Sequence, residues 1–156
     1  MAGRRDQIKL SDDEQRELLD TERIAIVTSN GVKGWPHSMP MWFTVRDGVL
    51  WVWTYAKSQK VKNLERDPKA TVLIETGVEY GELRGVMIES EAVIHREPEV
   101  VAEFGKDLTI RYSDGIDSIE GDAEAALLAQ ATKRVAISFP PTRTATWDHR
   151  KLGGTY

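Results

Sequence analysis

The chain has 156 residues, of which 40% are hydrophobic and none is cysteine, so it can bury the core of one domain but cannot form disulfides or thiolate metal sites. Its net charge of −4 argues against a nucleic-acid-binding protein, which usually carries a basic face. No apolar run reaches the roughly 18 residues of a membrane span, and the N-terminus lacks a signal-peptide pattern, which favours a soluble cytoplasmic protein.

The first third of the chain predicts a short helix followed by three strands. Ser11 and Glu14 have capping-box spacing, which predicts a helix that runs to about Thr21. Glycine-containing turns that tolerate positive φ then separate three apolar runs, as in β-hairpins. The expected strands cover residues 24–29, 36–46 and 51–57.

The third strand leads directly into a helix. Trp51, Trp53 and Tyr55 alternate with smaller residues, which predicts a strand with one aromatic face, and one of the two tryptophans is expected to line a ligand pocket. Ser58 occupies the N-cap position of a helix that should end before Asp67-Pro68. This segment is therefore a strand, a tight turn and a helix.

The charges at the start of this helix are unusual. Lys57, Lys60 and Lys62 flank the first turn, where acidic residues normally complement the helix dipole. A phosphate bound by Ser58, backbone N–H groups and the lysines would remove the repulsion. A phosphate site and a solvated lysine-rich helix are both consistent with the spacing.

The second half predicts further strands and two helices. A loop should separate the helices at residues 112–121. The expected strands cover residues 70–75, 83–96, 134–139 and 142–149, and the helices cover 98–108 and 123–132. Six or seven antiparallel strands with peripheral helices indicate a mainly β (α+β) protein, with residues 1–156 forming a single domain built on a small closed barrel.

Several segments together resemble a known family. Residues 54–68, preceded by residues 34–43 and Asp47-Gly48, are similar to the split-barrel flavin-binding family of pyridoxamine 5'-phosphate oxidase, in particular its actinobacterial flavin- or deazaflavin (F420)-dependent oxidoreductases. The likeness extends to Arg96 and includes Trp147. It implies an FMN-binding split barrel, an obligate homodimer and cofactor sites at the subunit interface.

The resemblance also implies which residues bind the cofactor. Ser58, Gln59 and Lys60 would hold its phosphate, and Lys57 and Asn63 belong to the same motif. The remaining implied residues are Met39, Pro40 and Met41 along the ring, Trp53 and Thr54 beside the ribityl chain, and Trp147 from the partner chain.

The basic residues of the helix favour F420 over FMN as the cofactor. F420 carries a phosphodiester and an anionic oligoglutamate tail, which would suit a groove formed by Lys57, Lys60, Lys62 and Arg66. The hypothesis is an oxidoreductase that transfers a hydride between reduced F420 and a small conjugated substrate. The alternatives are an FMN-binding oxidase-like protein and a non-catalytic cofactor carrier.

No catalytic residue is identified from the sequence. His37, Tyr55 and His149 are candidate proton donors by residue type only. Residues 148–151 match the substrate-binding arginine and histidine pattern of the vitamin oxidases only loosely, which argues against that activity. The three histidines are far apart in sequence, so no metal site is expected.

Overall fold

The computed structural model describes residues 3–154, which form two antiparallel sheets and five α-helices. The strands are β1 (Ala25–Asn30), β2 (Pro36–Met41), β3 (Phe43–Arg46), β4 (Val49–Tyr55), β5 (Lys69–Thr76), β6 (Arg84–Glu91), β7 (Val93–His95), β8 (Arg134–Phe139) and β9 (Pro141–Asp148). The helices are α1 (Arg4–Gln7), α2 (Asp12–Thr21), α3 (Gln59–Arg66), α4 (Pro98–Tyr112) and α5 (Gly121–Ala131), with short 3-10 helices at Tyr80–Glu82 and His149–Leu152.

The sheets have the strand orders β2-β1-β5-β6-β9 and β3-β4-β8-β7. The predicted α+β split-barrel class is confirmed, although the described residues contain nine strands rather than six or seven. The predicted strand 36–46 is interrupted at Trp42, and the predicted strand 83–96 is interrupted at Ala92. Each continues from one sheet into the other, so one run of alternating residues supplies two strands at a barrel corner.

Two apolar clusters hold the sheets and helices together. The main core lies between the inward faces of the sheets and under α3, and the smaller cluster lies between the four-stranded sheet and α4 and α5. Fully buried residues of the main core include Val27, Phe43, Val52, Val61, Val72, Ile74 and Ile137. Trp53 and Phe104 belong to the smaller cluster, so the aromatic face of β4 lies beneath α4.

Local hydrogen bonds confirm the predicted helix and turn positions. Ser11 Oγ accepts from the Glu14 N–H at 3.2 Å and Glu14 Oε2 accepts from the Ser11 N–H at 2.7 Å, which completes the capping box of α2. Asp47 and Gly48 have φ values of 50° and 76°, as a tight hairpin between β3 and β4 requires.

No helix within residues 3–154 combines the length and apolar character needed to cross a membrane.

Candidate cofactor site

The junction between β4 and α3 forms a tight turn with an uncapped helix start. The Ser58 N–H donates to the Tyr55 carbonyl at 3.0 Å, and the Ala56 N–H donates to the Lys133 carbonyl at 3.0 Å. Ser58 is the N-cap residue, as predicted, but its side chain makes no cap hydrogen bond. Because first-turn amides have no intrahelical acceptor, this helix end can donate to an external anion.

Lys60 is buried beside this helix start. Its side chain is only 8% exposed, and its Nζ donates to Thr54 Oγ1 at 3.2 Å. Within residues 3–154 no acidic side chain forms an ion pair with Lys60. Burial lowers the pKa of Lys60, because the ammonium loses hydration without gaining a negative partner. An anion placed against the ammonium would offset this cost.

Three of the predicted residues form one hydrogen-bonded group. Thr54 Oγ1 accepts from Lys60 and donates to Ser58 Oγ at 3.4 Å. We call Thr54, Ser58 and Lys60 the Lys60 cluster. It places the Ser58 hydroxyl and the Lys60 ammonium at the positive end of a helix, a donor set suited to a phosphate.

Gln59 and Asn63 fix α3 to the barrel. Gln59 Nε2 donates to Asn63 Oδ1 at 2.9 Å, and Asn63 Nδ2 donates to Ser29 Oγ at 3.1 Å. Asn63 is fully buried and Ser29 is 2% exposed, whereas Gln59 is exposed. Asn63 therefore anchors the helix to β1 and orients Gln59 at its start.

The other basic residues do not extend the Lys60 cluster into a continuous groove. Lys57, Lys62 and Arg66 are exposed, and the Arg66 guanidinium donates to the Asn30 carbonyl. Lys62 lies two positions after Lys60, which places it about 200° around the helix. The expectation of one basic groove along α3 is therefore wrong, because Lys60 faces the barrel and the others face outward.

The remaining predicted residues lie on different strands. Met39, Pro40 and Met41 belong to β2, an edge strand that pairs only with β1 among the described residues. Trp147 belongs to β9, at the opposite edge of the same sheet, where a Cβ at Gly85 would come within 2.4 Å of its ring. The structure thus groups the helix-start residues but does not bring β2 and Trp147 together at one edge of the sheet.

A pocket of about 340 Å³ lies between β2, β4, α4 and α5. Its walls include Pro40, Met41, Trp42, Trp53, Tyr112 and Arg134. Trp53, one of the two β4 tryptophans expected to line a ligand pocket, is among these lining residues. Arg134 and Tyr112 are missed by sequence reasoning, because they come from elements far along the chain and belong to no local motif.

A ring stack and hydrogen bonds connect the residues of one pocket wall. Trp42 stacks on Tyr112 with ring centroids 4.4 Å apart and planes 12° apart. The Tyr112 hydroxyl accepts from the Phe43 N–H at 3.0 Å and donates to the Arg23 carbonyl at 2.8 Å. These contacts hold the end of α4 against the barrel corner at Trp42.

No group of three His, Asp or Glu side chains in the described part of the chain could hold a metal ion.

Two antiparallel sheets that share strands at their corners, with a cationic helix start at the end of β4, define a split-barrel protein. The chain belongs to the pyridoxamine 5'-phosphate oxidase family, whose sequence profile matches residues 11–148. None of the curated proteins matches the chain.

Solved structures show the same fold. A conserved hypothetical protein of Mycobacterium tuberculosis, Rv2991, is 35% identical, with a TM-score of 0.88 over 99% of this chain and 95% of its own. An F420 reductase is 21% identical, with a TM-score of 0.64 over 83% of this chain and 94% of its own. A FAD-binding protein of Mesorhizobium loti is 13% identical, with a TM-score of 0.64 over 88% of this chain and 94% of its own. At these identities the last two show the fold alone.

Proposed function

We propose that this protein is a homodimeric oxidoreductase that binds coenzyme F420 and reduces a small conjugated substrate, with FMN as the second candidate cofactor. The observation that carries the proposal is the buried Lys60 ammonium, whose hydrogen-bond partner is a neutral hydroxyl. A buried charge without a negative partner is costly, and a cofactor phosphate would supply that partner.

The Lys60 cluster holds the phosphate in this proposal. Lys60 contributes the positive charge, the Ser58 hydroxyl and the first-turn amides of α3 donate hydrogen bonds, and Thr54 keeps the ammonium in place. Gln59, oriented by Asn63, flanks the same helix start. When bound, F420 or FMN supplies two-electron redox chemistry that the side chains of this protein lack.

The β2 strand and Trp53 enclose the reactive ring. Met39 is 41% exposed on an edge strand, and Trp53 lies with Pro40 and Met41 at the adjacent pocket. These apolar side chains exclude water from the reacting face and orient the ring. Trp147 completes the site from the partner chain, since its own β9 lies at the opposite sheet edge.

The candidate proton donors differ in their surroundings. His149 Nδ1 is 2.9 Å from the Tyr80 carbonyl, which ties it to the neighbouring 3-10 helix. Tyr55 is 57% exposed, and Arg134 lies over its ring. His37 lies on β2, two residues before Met39 and therefore on the same face of the strand. His37 is therefore the proposed donor.

Charge distribution supports both candidate cofactors. Lys57 and Lys62 do not join Lys60 in one groove, but their exposed charges add long-range attraction for the anionic tail of F420. Because Lys62 lies on the other side of α3, Lys60 alone faces the proposed phosphate, and this arrangement equally fits FMN, which has a single phosphate. F420 is the first candidate because, unlike FMN, it carries an anionic tail for these exposed lysines to attract.

A row of apolar side chains supports the homodimer. Pro40, Ile26, Leu73, Met87 and Ala145 are neighbours in register across all five strands of the larger sheet. They alternate with the buried positions of their strands and therefore lie on the outward face. Such a row favours self-association through this face.

Cofactor titration followed by turnover tests the proposal. Tryptophan fluorescence measures the binding of F420 and FMN, and we expect tighter binding of F420, weakened by salt because the contact is ionic. An enzyme should reoxidise reduced F420 when a panel of conjugated acceptors is supplied. Binding without turnover would assign a carrier role, and FMN binding that F420 cannot displace would reverse the choice of cofactor.

A further inference from the structure

The pocket between β2, β4, α4 and α5 has the composition of an anion site. Among the described residues that line it, Arg134 is the only charged side chain, and none is acidic. No acidic group in the described part of the chain pairs with Arg134. We call this cavity the Arg134 pocket.

Aromatic rings fix the orientation of Arg134. Its guanidinium carbon lies 4.7 Å from the centroid of the Trp53 ring and 4.2 Å from that of the Tyr55 ring. Stacking on rings leaves the edge of a guanidinium, which carries its N–H groups, available to an acceptor. A carboxylate is the acceptor that matches this edge, since two parallel hydrogen bonds can form.

Two buried donors at the same wall also lack partners. Arg134 Nε and Trp53 Nε1 are inaccessible to water and make no hydrogen bond to any described residue. Trp53 as a whole is only 9% exposed. Atoms closed to water are also closed to a ligand, so these two donors do not themselves contact the pocket, and the remaining N–H groups of the Arg134 guanidinium are the donors that an acceptor there would meet.

The other walls favour a flat apolar ligand body. The stacked rings of Trp42 and Tyr112 form one wall, and Pro40, Met41 and Leu108 add apolar surface. A volume of about 340 Å³ suits a small molecule, since ligand pockets range from about 300 to 1,000 Å³.

We propose that the Arg134 pocket binds planar aromatic or conjugated carboxylic acids, with the carboxylate on Arg134 and the ring against the Trp42 wall. The pocket shares Pro40, Met41 and Trp53 with the proposed cofactor site. One part of the inference rests on the proposed function, namely that these acids are substrates of the oxidoreductase. Binding of the acid itself depends only on the pocket.

Calorimetric titration with 2-naphthoate and its neutral isostere 2-naphthamide tests the proposal in cofactor-free protein. We expect the acid to bind at least about tenfold more tightly than the amide, the scale of one charge-assisted hydrogen bond. Arg134→Met keeps an apolar stem over the rings and should abolish this difference. Arg16→Met removes a charge from exposed α2, outside the pocket, and should preserve it.

A second variant tests the charge effect without altering Arg134. Gln130 lines the pocket from an exposed position on α5, so Gln130→Glu should fold normally and weaken the acid several-fold while sparing the amide. Circular dichroism verifies the fold of each variant. Absent binding of the acid, equal binding of acid and amide, or full acid binding in both pocket variants would overturn the proposal.

Cofactor competition separates this inference from the proposed function. Lys60→Met should leave naphthoate binding unchanged in cofactor-free protein, because Lys60 does not line the pocket. Displacement of naphthoate by saturating F420 or FMN would assign the pocket to the cofactor and overturn the inference. Arg134-dependent acid binding in a protein that binds neither cofactor would support the pocket and refute the oxidoreductase.

Discussion

Replacing Lys60 by methionine separates the two consequences of its buried ammonium. Methionine has a similar length and no charge, so it can fill the same space beside Thr54. Cofactor affinity should fall by about 1.5–3 kcal/mol, the value of a hydrogen bond to a charged group, which is roughly a 10- to 150-fold increase in Kd. Fluorescence titration with F420 and with FMN at constant ionic strength measures this loss.

The stability of the cofactor-free protein should change in the opposite direction. The variant loses one hydrogen bond to Thr54, worth about 0.5–1.5 kcal/mol, but no longer buries an unpaired charge, whose cost is several kcal/mol. A net gain of about 1 kcal/mol would raise Tm by roughly 2–4 °C in a protein of this size. Thermal unfolding followed by circular dichroism measures the shift.

Lys62→Met is the matched control, since it removes the same charge from an exposed position on the same helix. It should change FMN affinity by much less and leave Tm almost unaltered. Equal losses of affinity in the two variants would mean that only the general positive charge of α3 matters. Unchanged affinity in Lys60→Met would refute the Lys60 cluster as the phosphate site.

Three further predictions concern pH, packing and assembly. Burial lowers the pKa of Lys60 in the folded protein below its ordinary value of 10.5. As the pH rises from the folded pKa towards 10.5, folded protein loses the ammonium that binds the anion, so cofactor affinity should fall. Over the same pH range the unfolded chain binds more protons than the folded one, so the cofactor-free protein should gain stability. Gly85→Ala should destabilise the fold by about 1–3 kcal/mol in urea unfolding, since its Cβ would lie 2.4 Å from the Trp147 ring. Leu73→Glu places a charge in the outward apolar row and should dissociate the dimer in analytical ultracentrifugation.

Each of these predictions has a control in the same chain. The pH dependence of affinity should disappear in Lys60→Met, and its persistence there would assign it to another group. Gly81→Ala meets open space and should cost less than about 0.5 kcal/mol, so a similar loss in both glycine variants would contradict the packing argument. Leu128→Glu alters an exposed leucine on α5 and should leave the assembly intact. A dimer that survives Leu73→Glu would place the interface elsewhere.

Local features of this protein followed from its sequence because short-range forces create them. The Ser11 capping box, the Asp47-Gly48 hairpin and the Ser58 N-cap each depend on residues within a few positions of one another. The strand alternation of residues 51–55 was readable for the same reason. With the family resemblance, these features were enough to predict the split-barrel class.

The division of strands between the two sheets was decided by tertiary structure. Residues 36–46 keep one alternating pattern through Trp42, so nothing local marks the barrel corner at which β2 ends and β3 begins. The corner exists because β2 pairs with β1 while β3 pairs with β4. Residues 83–96 behave in the same way at Ala92.

The character of the candidate site also depended on long-range packing. Lys60 and Lys62 are equivalent in sequence, but packing of α3 against the barrel buries the first and exposes the second. Arg134 could be recognised as a candidate ligand-binding residue only from the tertiary structure, because the pairing of β8 with β4 places it over Trp53 and Tyr55. The sequence alone therefore determined where α2 to α5, the main turns and the positive charges occur, but not the short helix α1. The tertiary structure decided which charges lose their water, because burial arises from contacts between residues distant in the chain.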